Sequence, residues 1–312
     1  MKTLRLILAI CALTMAAWGQ TALPSAPTKN PHPSKTSQGG APSVIVRDEA
    51  FQSAALGREM KYRILLPADY ETSSRRFPVL YLLHGLTGSY VDWESRTHLD
   101  DYAEGLPLII AMPDGDDSWY TNSVSNPQEK WDDYIVKDFI PEIDKTYRTI
   151  QARHARAIAG LSMGGYGAMK FALKFPGTFI FAASMSGALN IAIAAPRADT
   201  SEKFARQIEQ IYGPAGSETR TANDPFALAG KVTNPTSLPF LWLACGTEDR
   251  LVVTNHEFID LLVKQKIPHF YEESAGAHTW LFWDEHLPPM LSLLMERFFG
   301  SRDKVRGARP NQ

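Results

Sequence analysis

The chain has 312 residues and a formal charge of −2, with 44% apolar and 21% charged residues. That length suits one large α/β domain, and the apolar content is ordinary for a packed globular core. The near-neutral balance, with no basic stripe, argues against a polyanion or nucleic-acid partner.

In chain order, Met1-Lys-Thr-Leu-Arg5 forms a short basic region, followed by an apolar run from Leu6 to Ala17. Ala17-Trp18-Gly19 then places small residues before Gln20, which predicts an export signal over residues 1–19 and a periplasmic or extracellular destination. The run is too short for a permanent membrane span, which takes about 20 residues. Cys11 would leave with the leader, so Cys245 becomes the single mature cysteine and no intrachain disulfide can form. Cys245 ends an apolar strand and reads as a small buried hydrophobe. Residues 20–43 are rich in Pro, Ser, Thr and Lys, which predicts a flexible linker. The folded domain is expected over 44–300, with a polar tail over 301–312.

Within the domain, predicted strands at Met60–Leu66, Val79–Leu83, Leu108–Met112, Arg156–Leu161, Phe179–Met185, Phe240–Cys245 and His269–Glu273 alternate with helices. The helices are expected at Trp131–Tyr147 (with a kink at Pro141), Tyr166–Phe175, Asn255–Lys266 and Leu287–Phe299. The segment from Asn190 to Lys231, with a helix at Glu202–Tyr212, reads as a small cap-like excursion. Continuous apolar strands between helices imply a mainly parallel central sheet covered on both faces, with sites at the carboxyl ends of its strands.

Gly160-Leu161-Ser162-Met163-Gly164 joins a strand to a helix in the Gly-x-Ser-x-Gly pattern of a nucleophile elbow, which makes Ser162 the candidate nucleophile. A serine hydroxyl needs a base to take its proton, and that base needs an orienting acid. The expected chain order is Ser, then acid, then His. Asp249 hangs from the strand ending at Gly246, in competition with Glu248 and Asp260. Of eight histidines, His278 alone sits in a Gly/Ala-rich loop directly after the last strand. The oxyanion donors are expected to be the N–H groups of Met163 and of Leu86, in the loop after an early strand. Asp116, Trp119 and Tyr120, with Trp280 beyond the base, are candidate substrate-binding residues. Aromatic groups in such loops either stack on a ligand or pack the loop against the domain.

His84-Gly-Leu, Pro113–Asn122, Gly160–Gly165, Gly246–Asp249 and Gly276–Trp280 occur together and in order. This set resembles the esterase D or "putative esterase" family of α/β-hydrolases over about residues 44–300. That family includes S-formylglutathione hydrolases, feruloyl and acetylxylan esterases, tributyrin-type esterases, enterochelin esterases and mycolyltransferases. The resemblance implies a triad of Ser162, Asp249 and His278, no metal or organic cofactor, and a Pro113–Asn122 loop that lines the acyl or leaving-group pocket. The expected activity is that of an exported serine carboxylesterase, forming an acyl-enzyme on Ser162 from short-chain acyl esters or acetylated or feruloylated carbohydrate. Export argues against formylglutathione, a cytosolic conjugate. The rival readings are an acyltransferase of the mycolyltransferase type and, more remotely, a non-catalytic binding protein on a hydrolase scaffold. Oligomeric state leaves no trace in the sequence.

Overall fold

A computed structural model describes residues 44–195 and 200–300. The predicted leader, linker and tail, and residues 196–199 of the segment after Asn190, lie outside the described residues. Eight strands form one sheet: β1 (Val44–Ser53), β2 (Arg58–Pro67), β3 (Val79–Leu83), β4 (Ile109–Pro113), β5 (Arg156–Leu161), β6 (Phe181–Met185), β7 (Phe240–Gly246) and β8 (His269–Ser274). Their spatial order is β1-β2-β4-β3-β5-β6-β7-β8. The first two strands pair antiparallel, β2 meets β4 antiparallel, and every pairing from β4 across to β8 is parallel.

The helices are α1 (Asp92–Arg96), α2 (Leu99–Tyr102), α3 (Trp131–Asp133), α4 (Ile140–Thr146), α5 (Met163–Lys174), α6 (Glu202–Tyr212), α7 (Glu218–Ala222), α8 (Pro225–Gly230), α9 (Val252–Lys264) and α10 (Trp280–Phe299). All five residues of β3, β4 and β6 are buried, as strands covered on both faces require. Side chains alternate between two cores. Tyr81, Leu83 and Ile158 pack with Tyr166 and Phe171 of α5 and Phe258 of α9. Leu80, Leu82 and Ala159 pack with Trp93 of α1 and with Phe282, Leu287 and Leu291 of α10. No helix among the described residues is long and apolar enough to cross a membrane.

Three local features depart from the sequence expectation. The helix expected over Trp131–Tyr147 is not one continuous α-helix but runs through a π-helical stretch, Tyr134–Phe139, between α3 and α4, with Pro141 in the first turn of α4. Pro141 has no N–H to return to the preceding turn, and the wider π turn just ahead of it absorbs that break. The last helix starts at Trp280, seven residues before the expected Leu287, and carries Pro288 and Pro289 inside it. An additional edge strand, β1, pairs along all of β2. Between β6 and β7, α6, α7 and α8 make up the described part of the excursion, and Ser201, Ser217 and Asp224 cap their amino ends.

Candidate active site

β5 stops at Leu161, and α5 starts at Met163, which leaves Ser162 alone in the turn. Its φ of 51° and ψ of −112° lie outside the ordinary wells, a strain of about 1–3 kcal/mol that only firm surroundings maintain. Those surroundings are visible. Ser162 N–H donates to the Met185 carbonyl at 2.9 Å. A Cβ at Gly160 would lie 2.4 Å from the Gly164 carbonyl carbon, and one at Gly164 would lie 2.3 Å from the Leu83 oxygen. The sharp turn therefore has room only for glycine on either side.

His278 Nε2 lies 3.0 Å from Ser162 Oγ, and its Nδ1 lies 2.8 Å from Asp249 Oδ2. The carboxylate accepts from Nδ1–H, which leaves the Nε2 lone pair facing the serine hydroxyl. Asp249 is 2% exposed, and its second oxygen accepts the Leu251 N–H at 2.9 Å. Burial alone would raise the Asp249 carboxyl, but the imidazole and the Leu251 amide hold it below the usual aspartate value. Glu248 and Asp260 are exposed, and Asp249 is the acid that reaches the imidazole.

The loops carrying Asp249 and His278 are zipped together. Thr247 N–H donates to the Ser274 carbonyl and Glu248 N–H to the Gly276 carbonyl, both at 2.9 Å. A Cβ at Gly246 would sit 2.1 Å from the Gly276 oxygen, so this contact also requires glycine. Trp283 meets the His278 ring edge-on at 5.0 Å, and its indole N–H donates to Ser186 Oγ. Neither Trp283 nor Ser186 was identified as part of the site from sequence. Trp283 follows the base by five residues, but nothing in the sequence separates a ring that backs the imidazole from one that seats a helix.

Leu86 lies in the loop crossing the elbow. A Cβ on its neighbour Gly85 would come 3.5 Å from Ser162 Cβ. Met163 is the first residue of α5, where N–H groups have no intrahelical acceptor. Both amides thus belong to segments that border the serine.

Burial corrects the substrate-binding expectation for Tyr120 and Trp119, while Trp280 stays partly exposed. Tyr120 is fully buried and donates its hydroxyl to the His84 carbonyl at 3.0 Å, so its ring face is not open to a ligand. Trp119 is 3% exposed, set edge-on to Tyr166 and Phe204. Trp280 packs edge-on between Trp93 and Trp283, with the Arg96 guanidinium over its ring. Asp116 is exposed, and its neighbour Asp117 accepts the Thr87 N–H at 2.6 Å, tying this loop to the one carrying Leu86. Cys245 is buried, and burial pushes its thiol up to about 12, which suits an inert core residue. No group of three or more His, Cys, Asp or Glu among the described residues could hold a metal ion.

The family model described as "Putative esterase" matches residues 53–294. Esterase Rv1288 of Mycobacterium tuberculosis strain H37Rv is 33% identical over 254 residues, covering 74% of this chain; the chain spans 55% of that protein's length. The acetyl esterase of Caldicellulosiruptor saccharolyticus is 29% identical over 248 residues, covering 76% of this chain and 93% of that protein. Among solved structures, a ferulic acid esterase superposes with a TM-score of 0.71 at 26% identity, over 82% of this chain and 99% of that one. The chain belongs to the "putative esterase" family and has the α/β-hydrolase fold.

Proposed function

We propose that the protein is an exported serine carboxylesterase that cleaves carboxylic esters through an acyl-enzyme on Ser162. The observation that carries the reading is the unbroken line from Ser162 Oγ to His278 to Asp249, at 3.0 and 2.8 Å. Ser162 attacks the ester carbonyl while His278 Nε2 takes its proton; Asp249 holds the tautomer and stabilises the imidazolium without accepting that proton. The oxyanion sits between the N–H groups of Leu86 and Met163. His278 then protonates the leaving alcohol, and a water, deprotonated by the same imidazole, releases the acid.

The substrate class of this reading is short-chain acyl esters or acetylated or feruloylated carbohydrate; the similarity to an acetyl esterase and a ferulic acid esterase supports its acetyl and feruloyl parts. Export rests on the basic and apolar pattern of residues 1–19. Replacing Ser162 with alanine should lower kcat on p-nitrophenyl acetate by about 10⁶-fold and abolish labelling by a fluorophosphonate probe. Turnover or labelling close to wild type would remove Ser162 from the chemistry.

A further inference from the structure

Lys170 of α5 is fully buried, two turns beyond Ser162. Its ammonium donates to Asp132 Oδ1 at 2.6 Å, to Thr121 Oγ1 at 3.0 Å, and to the Tyr120 carbonyl. Thr121 spends its own hydroxyl proton on the Trp119 carbonyl, so its oxygen is an acceptor toward Lys170. Three acceptors thus use all three ammonium protons.

The Tyr120 carbonyl belongs to an unusual stretch of backbone. Trp119 and Tyr120 have φ of 55° and 50°, rare for aromatic residues and costing about 1–3 kcal/mol each unless the surroundings impose them. The Tyr120 ring is confined as well: a Cβ at Gly115 would lie 2.3 Å from it, and one at Gly167 of α5 would lie 2.8 Å away. From that fixed position the phenol donates to the His84 carbonyl.

His84 carries the connection onward. Gly115 N–H donates to His84 Nε2 at 2.8 Å, so the proton sits on Nδ1, which donates to the Gly85 carbonyl at 2.7 Å. That carbonyl shares its peptide plane with the N–H of Leu86. Because the peptide is planar, a hydrogen bond that fixes the direction of the carbonyl also fixes the direction of the N–H.

We propose that Lys170 is a positioning residue for the oxyanion hole, acting through the Tyr120 carbonyl and hydroxyl and the His84 imidazole to aim the Leu86 N–H. The inference rests on the esterase reading above and adds to it a buried ammonium remote from the reacting atoms. It differs from a packing role in what it alters: the donor matters most when the oxygen carries full charge, so a misdirected Leu86 N–H slows turnover more than it weakens substrate binding.

The test uses the full chain, with Tyr120→Phe, Lys170→Met, the double variant and Ser162→Ala, on p-nitrophenyl acetate. Tyr120→Phe keeps the ring and removes only the hydroxyl, so it reports even if Lys170→Met, which leaves Asp132 with one ammonium fewer, fails to fold. Each single variant that folds should lose about tenfold in kcat with KM within about twofold, since small misplacements of a catalytic donor cost on the order of 10–10²-fold. The double variant should lose no more than the worse single, because both act on one line of contacts. Full kcat in Tyr120→Phe or in a folded Lys170→Met, or losses that multiply or appear mainly in KM, would overturn the inference while leaving the esterase reading intact. Activity surviving in Ser162→Ala would instead overturn that reading.

Discussion

At the residue scale, Asp249 offers the sharpest probe of the proposed chemistry. Its Oδ1 accepts from Leu251 N–H, and its Oδ2 faces His278 Nδ1. In Asp249→Asn the amide oxygen would keep the Leu251 contact, turning the NH₂ toward Nδ1. An NH₂ donor there forces the proton onto Nε2, which then points an N–H at the serine instead of a lone pair. We expect kcat on p-nitrophenyl acetate to fall by roughly 10⁴-fold at neutral pH with the fold retained. A loss below about tenfold would dissociate this carboxylate from the base. The same residue contributes to acid stability. Its carboxyl lies below the ordinary value in the folded state, so its contribution is complete above the unfolded pKa near 3.8 and disappears as pH falls through the folded value. The melting temperature of Asp249→Asn should therefore depend less steeply on pH below about 4 than that of wild type.

At the element scale, the junction of β3, β5 and α5 controls the serine. Gly164 lies on the first turn of α5, against the carbonyls of Leu83 and His84; a Cβ would lie 2.3 and 2.6 Å from their oxygens. These are backbone atoms at the carboxyl end of a buried strand, so they cannot rotate aside as a side chain could. Gly164→Ala should cost about 1–3 kcal/mol in urea unfolding and lower kcat by more than tenfold, because the strand end and the loop proposed to hold the oxyanion must shift together. An unchanged midpoint would mean that the helix start has slack not visible in the packing.

The same junction explains what could be read from residue order. A Gly-x-Ser-x-Gly run between an apolar strand and a small-residue helix has one compact solution, so Ser162 was legible, and the order of acid and histidine after late strands pointed to Asp249 and His278. Packing was not legible in this way. Trp119 and Tyr120 have the composition of a binding loop, but the positive φ values that turn Tyr120 under His84 leave no local signature. Lys170 is charged on an otherwise buried helix, and only the fold reveals the carboxylate that accompanies it. Pro288 and Pro289 disfavour a helix interior, yet Phe282, Trp283, Leu287, Met290 and Leu291 bury one face across them, and tertiary burial overrides local preference. The edge strand β1 was missed because it has few buried residues, so its two-residue period is weak.

At the scale of the whole molecule, the two ends of the sheet differ in chemistry. Ser162, Asp249 and His278 all follow the carboxyl ends of parallel strands, the end at which α/β sheets place their ligands. A groove of about 800 Å³ opens at the other end, where Phe77 and Pro78 lead into β3 and Leu106 and Pro107 approach β4, closed by Leu291 and Met295 of α10. Its size alone would nominate it as a site, but neither a histidine nor a cysteine lines it. Ser292, exposed on the groove wall, provides a test that leaves the core untouched. Ser292→Trp fills the groove with a large ring at the far end of the strands from Ser162. If catalysis belongs to the carboxyl ends alone, kcat/KM for p-nitrophenyl acetate should stay within about twofold of wild type, a difference of roughly 0.4 kcal/mol in barrier. A tenfold loss without a change in melting temperature would show instead that α10, which runs from the groove to the ring of Trp283 behind His278, couples the two ends.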